Sequence, residues 1–386
     1  MDPLQSTLLD YLSQVPDFRC ARGQRFAWPY LLALVAAAVA AGQKHVVAMV
    51  DWAQAHREEL LTALGPHRPR LPSPATWRRV LLQIDIAALE RQIAAYTAQL
   101  DQGDVTQGTI ALCDGTVVRG QAVDGKDICG ASAHGQSTFL VSLVRHDCAY
   151  VLAQAAVARK TNEITAVPAL LAGRDLTGTV TTMDALLTQR HIAQQILDQG
   201  GHYLMIIKQN QPTLYAAARL VFAEPPLPRR PGERLTGRTS DKAHGRWERR
   251  SLVTTTALNE YLTWPGSAQV LRRTCRRIHE RTGRVETEIT YGITSLPTAL
   301  AGPAQLECIW RGHWTIENRL HYVRDETFGE DRCQVHTGTA AQALAALRNA
   351  VVSTLRFHGW SNLAAATRCY AAHPQRALQL LGAIAL

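Results

Sequence analysis

The stretch "TGTVTTMDALLTQRHIAQQILDQGGHYLMIIK", residues 177–208, carries two periodicities in one short span. Residues 177–185 and 202–208 are apolar or β-branched runs too short for a helix, so both are expected as buried strands. Between them, residues 188–199 repeat their apolar positions every three to four places, which predicts an amphipathic helix. A strand, a helix and a strand in this order are the alternation of an open α/β sheet.

Working outward, "TIALCDG", "TFLVSLVRHD" and "YVLAQAAV" read as three consecutive strands, and residues 163–173 as a helix. Three adjoining strands followed by alternating helix and strand is the order of a ribonuclease H-like sheet, although doubly wound folds share part of it. The expected class is therefore α/β. Residues 1–100 read as helical, with Leu/Ala-rich runs at 28–41, 45–63 and 75–99. Ser73 and Pro74 suit the N-cap and first turn of the third run. Arg78 and Arg79 follow, where they suit either a DNA backbone or a solvated first turn. Residues 223–300 break the alternation and read as a β-rich insertion. The expected catalytic core is then residues 108–222 and 301–360, with a helical tail at 361–386.

The 386 residues include 41 Lys and Arg against 32 Asp and Glu, a net charge of +9 that favours a polyanionic partner. Residues 229–250 carry eight basic residues against three acids, and 272–284 carry six Arg against one acid. That density suits phosphates, as it also suits a solvated face. The eight Cys form no CxxC pair and read as reduced thiols without a metal. "YLLALVAAAVAAG" is shorter than the ~20 residues of a membrane span, and the start has no signal-peptide order. A buried helix in a cytoplasmic, nucleoid-associated protein is expected.

Three acids stand out. Asp114 and Asp184 each end an apolar run before a turn, and chemistry in open α/β sheets collects at carboxyl ends of strands. The two are expected as neighbours across the sheet, although a strand-end Asp can equally cap the next helix. Glu317 lies in "HWTIENRLHYVRDETFGED", residues 313–331, expected on a helix over 303–326. At ~100° per residue it borders the stripe of Ile309, Ile316, Leu320 and Val323, beside Trp310, His313, His321 and Arg324. Pairing with His313 or His321 one turn away is the simpler use for it. Three clustered carboxylates would repel one another without a divalent cation, and hard oxygen donors select Mg²⁺ or Mn²⁺.

The sequence resembles the DDE transposases of bacterial insertion sequences, particularly the H-repeat-associated branch. The motifs are "CDGTVVRG", "KTNEITAVPALLAGRDLTGTVTTMDALLTQ", "YLMIIKQNQPTL", "DKAHGRWERR", "RGHWTIENRLHYVRDETFGED" and "AAQALAALRNAVVSTLR". The resemblance implies a ribonuclease H-like catalytic domain with a β insertion, in which Asp114, Asp184 and Glu317 match the acidic triad and hold two metal ions. It implies metal-dependent cleavage of double-stranded DNA at element ends, strand transfer of the freed 3′-OH, and a homodimer on DNA. Related transposases carry Tyr-x2-Arg-x3-Glu-x6-Lys around the last acid; here those places hold Trp310, His313, Glu317 and Arg324. The resemblance thus implies DNA contacts from Trp310 as a stacking face, from Arg324 and a protonated His313 as cations beside phosphate, and from His321. Lys208, Lys242, His244 and Arg246 look similar to the family's DNA-contact positions. A transposase-derived DNA-binding protein without chemistry, and a nuclease without strand transfer, are the alternatives.

Overall fold

A computed structural model describes residues 6–104, 108–128, 138–157, 163–223, 233–243, 245–333, 335 and 338–384. The chain is a mixed α/β protein in two compact units. One comprises Met1–Gln107, Gly125–Ala166 and Thr315–Leu386, the other Gly108–Asp124 and Val167–Trp314.

In the first unit, α1 (Leu8–Ser13), α2 (Trp28–Ala40), α3 (Val46–Ala55), α4 (Arg57–Leu64), α5 (Pro74–Gln83) and α6 (Ile86–Gly103) follow in order. α2 is apolar on nearly every side and nearly every residue is buried, as the Ala-rich run requires. Among the described residues no helix is long and apolar enough to cross a membrane. The expected helix over 75–99 is cut in two, because Asp85 accepts the Ala88 N–H at 2.9 Å and caps α6 afresh. Pro74 opens α5 as expected, but the Ser73 hydroxyl meets the Thr76 hydroxyl at 3.2 Å and caps no backbone N–H. The long helix α11 (Ala340–Phe357) packs against α2, α5 and α6 and is buried along most of its length. α12 (Leu363–Ala372) and α13 (Pro374–Leu381) complete the unit.

In the second unit, β1 (Thr109–Ala111) is a short antiparallel partner of β2 (Val117–Ile128), whose chain passes out of the unit after Asp124. β2 was not expected as a separate strand. Gly120, Arg119 and Asp124 interrupt its alternation, and pairing on both sides, not local pattern, makes it extended. β3 (Thr138–Arg145) and β4 (Val151–Val157) form an antiparallel pair in the first unit, and α7 (Glu163–Leu171) follows. β5 (Thr179–Met183), α8 (Arg190–Asp198) and β6 (His202–Ile207) reproduce the strand–helix–strand reading, with β2, β5 and β6 parallel.

After α9 (Pro212–Val221) come β7 (Arg234–Ala243), β8 (Arg246–Thr255), β9 (Gln269–His279) and β10 (Val285–Thr294). These four strands extend the same sheet. β10 pairs antiparallel with β6, Tyr291 opposite Ile207, giving the order β2-β5-β6-β10-β9-β8-β7. α10 (Pro303–Gly312) packs on β7 and β8.

Candidate functional site

β5 is buried along its length, because its Thr and Val side chains are enclosed on both faces of the sheet. Asp184 is the first residue beyond it. Its Oδ1 accepts the Leu187 N–H at 2.9 Å, and the Thr188 hydroxyl donates to the Asp184 carbonyl at 2.9 Å and to the Ile206 carbonyl at 2.6 Å. The turn that leads from β5 toward α8 therefore fixes the carboxylate at the strand end.

The register decides which acid stands beside it. Parallel pairing sets Arg119 opposite Thr179 and Val123 opposite Met183. One residue further along each strand come Asp124 and Asp184, level with each other on strands ~4.8 Å apart. Both are partly exposed.

Asp114 is elsewhere. It lies in the turn between β1 and β2, at the edge of the sheet where β5 begins. The expected neighbourhood of Asp114 and Asp184 is thus corrected. From Val117 to Val123, β2 advances ~3.3 Å per residue away from that turn. Asp114 Oδ1 instead accepts the Thr116 hydroxyl at 2.6 Å and the Thr116 N–H at 3.0 Å, which hold its carboxyl below the usual range. It closes its own hairpin turn. Sequence reading missed Asp124, although "QAVDG" ends an apolar pair with Asp just as "TTMDA" does.

Two level carboxylates repel each other unless a cation lies between them, and their hard oxygens match Mg²⁺ or Mn²⁺. The donor chemistry of Asp124 and Asp184 therefore fits a divalent ion.

His313 follows α10 and reaches the same strand. Its Nδ1 lies 3.0 Å from the Thr182 hydroxyl. Burial pushes its pKa down to about 4, with the Asp184 charge acting against that fall. His313 is therefore neutral at neutral pH, which corrects the reading of it as a cation beside phosphate. Trp310 is buried at 2% exposure, with Gly292 directly against its ring and the Arg273 guanidinium 5.9 Å above it. It has no free stacking face. Arg273 is held in turn by a fork onto Glu307, Nε to Oε2 at 2.9 Å and Nη2 to Oε1 at 2.8 Å.

Beside Asp184 a cleft of about 550 Å³ is lined by exposed Lys208 and Asn210 and by partly buried Tyr215 and Tyr291 among others. Asn210 Nδ2 donates to the Ala185 carbonyl at 2.6 Å, tying the loop after β6 to the turn after β5.

In the first unit, Ile316–His321 and Val323–Thr327 are wound as π-helix. With bonds to the fifth residue instead of the fourth, the ~100° spacing expected there does not apply, and such segments recur at functional sites. Glu317 is half exposed, its Oε2 3.9 Å from His321 Nδ1, while His321 is buried. The pairing one turn away expected as the simpler use is present. Arg324 is wholly buried. It forks onto Glu330, Nε to Oε1 at 2.9 Å, and Arg348 Nη1 donates to the other Glu330 oxygen at 3.1 Å. Burial alone would raise the Glu330 carboxyl, but the two guanidinium charges outweigh it and hold it below the usual range. Arg324 is thus an interior partner, not a phosphate contact. Lys126 sits 2.7 Å from Asp325 and 3.2 Å from Asp331 in the same unit.

Of the remaining basic positions, Arg78, Arg79 and Lys208 are exposed. Lys242 pairs with Glu280 at 2.6 Å and Arg246 with Glu248 at 2.7 Å. His244 lies outside the described residues.

Residues 106–354 match the family described as "Transposase DDE domain", and residues 9–97 match "DDE_Tnp_1-associated". The chain is 28% identical over 355 residues to "Putative transposase YncI" of Escherichia coli O157:H7, covering 91% of this chain and 87% of that one. It is 26% identical over 357 residues to "H repeat-associated putative transposase YhhI" of Escherichia coli strain K12, covering 90% of each. A solved piggyBac transposase synaptic complex with hairpin DNA aligns at a TM-score of 0.45 and 8% identity, covering 95% of this chain and 77% of that one.

Proposed function

Because this chain belongs to the transposase DDE domain family, we propose that it cuts double-stranded DNA at the ends of a mobile element and transfers the freed 3′ end into target DNA. The observation that carries the reading is the level placement of Asp124 and Asp184 at the carboxyl ends of adjacent parallel strands. In this reading β2, β5 and β6 are the parallel half of a ribonuclease H-like core, and Asp124 takes the role expected of Asp114.

Asp124 and Asp184 hold the divalent cation or cations through their carboxylate oxygens. Glu317 is the third acid on its match to the family motif. Magnesium or manganese bound there would supply a water of lowered pKa and charge stabilisation for the leaving 3′ oxygen. Thr182 and neutral His313 brace the strand end, and the turn bond from Leu187 to Asp184 limits how the carboxylate rotates. No covalent enzyme intermediate is required, so no Ser, Tyr or Cys nucleophile is assigned. Lys208 and the exposed Arg78 and Arg79 attract the DNA backbone. Joining two element ends calls for two copies of the chain on DNA.

The test is cleavage and joining of duplexes carrying the element's own ends, with Mg²⁺ or Mn²⁺. Asp124→Asn, Asp184→Asn and Glu317→Gln should each abolish both steps. Activity retained in any one removes that residue from the site. Cut but unjoined products would make the protein a nuclease, and DNA binding with neither product would make it a silent relative.

A further inference from the structure

The four strands β7 to β10 sort their charges by face. Following the register outward, Asp241, Glu248, Glu286 and Glu288 all fall on one face, with Arg246, Arg250, Arg273 and Arg277 among them. This face carries α10, and its charges are matched: Arg250 reaches Asp241 at 2.6 Å, Arg273 forks onto Glu307, and Arg277 reaches Glu288 at 3.0 Å.

The other face holds Arg234, Arg238, Lys242, Arg249, Arg272 and Arg276 and not one acid of the four strands. Near β6 it is covered. There Arg234 and Arg272 lie 5.6 and 5.7 Å from the Phe222 ring, and Arg272 donates to the Phe222 carbonyl at 3.0 Å. Farther out, Arg238, Arg249 and Arg276 are exposed, together with Trp247. Arg249 stands directly opposite Arg276 across the strand pair. Like charges so placed weaken a sheet, and no carboxylate of this face offsets them. Folding gives no reason for that arrangement; an anion laid across the face does.

We propose that this acid-free face of β7–β10 is a docking surface for the sugar-phosphate backbone of duplex DNA, with Arg238, Arg249 and Arg276 as its phosphate contacts. The proposal rests on the DNA-processing reading above and assigns it a surface separate from the strand-end acids. Charge complementarity selects the occupant: three neighbouring guanidiniums match a polymer with one negative charge per ~1.7 Å of axis. Trp247, with the Lys242 ammonium 5.3 Å from its ring, adds an apolar plate at the outer edge for deoxyribose.

The experiment measures affinity of the full chain for a short duplex by fluorescence anisotropy as KCl rises. Each phosphate contact contributes about 0.9 to the log–log salt slope. The triple variant Arg238→Gln, Arg249→Gln, Arg276→Gln should lower the slope by about 2 to 3. A control with the same charge change, Arg57→Gln, Arg91→Gln, Arg376→Gln, should leave it near the parent value. An unchanged slope in the first variant, or an equal loss in both, overturns the surface and leaves the strand-end reading standing. A change in sedimentation without a change in slope overturns it in favour of a second copy of the chain. Failure of the parent to bind duplex DNA overturns both readings. Since Asp124→Asn leaves this face intact, its duplex affinity should equal the parent's while cleavage is lost.

Discussion

Asp124 stands level with Asp184 because Val123 on β2 pairs with Met183 on β5 in parallel register. Seventy or so residues of chain can separate two acids from a common site, or sixty can bring them to it, and only the hydrogen-bond ladder says which. Asp114, ten positions earlier, is carried to the other end of the sheet by the same ladder.

Asp124→Asn should lower metal-dependent cleavage by about a hundredfold or more, since even outer partners of a metal ligand are worth about 10- to 100-fold. Asp114→Asn should leave it unchanged. Both are read as initial rates on one labelled duplex, and the reverse ranking would return Asp114 to the site.

His313 should make the protein acid-sensitive. Its pKa is lowered in the folded chain from 6.5 to about 4, so the unfolded chain binds more protons between those values. Stability from this group is complete above about pH 6.5 and falls as pH drops toward 4, a loss of about 3 kcal/mol at most. His313→Gln can keep the bond to Thr182 without a titrating group. Its melting temperature should fall less than the parent's between about pH 7 and pH 5, and parallel curves would contradict the assignment.

The Arg324–Glu330–Arg348 cluster should govern stability and not DNA affinity. Glu330→Gln leaves two buried guanidiniums without a counter-charge, at a cost of about 3–5 kcal/mol. A drop in melting temperature of about 5 °C is expected. Arg324→Met should also melt earlier while keeping the salt slope of duplex binding. A lowered slope would show that Arg324 does touch phosphate.

Gly292 should not tolerate a side chain. A Cβ there would lie 2.5 Å from the Trp310 ring, which is enclosed and cannot retreat. Gly292→Ala is expected to cost about 1–3 kcal/mol by overpacking, seen as a lower denaturant midpoint. A midpoint equal to the parent's would mean that the ring moves aside.

The sequence by itself determined the elements whose pattern is local. α2 is apolar all round, residues 179–207 alternate strand, helix and strand, and Asp184 ends its strand. Each of these depends on residues a few positions apart, which a linear reading contains. The family motif likewise marked Glu317 and its neighbours by spacing alone.

Tertiary structure decided the partners. Motif spacing places Trp310, His313 and Arg324 around Glu317, yet packing buries all three, because whether a ring or cation meets solvent depends on chain outside the motif's spacing, such as Gly292, Thr182 and Glu330. The π-helical winding of 316–327 moved the angular positions that a regular helix predicts. Register, too, is a relation between strands: it set Asp124, not Asp114, level with Asp184 and gathered Arg238, Arg249 and Arg276 on one face. Side-chain identity and local period are written along the chain, whereas burial and register arise only when remote segments compete for the same space.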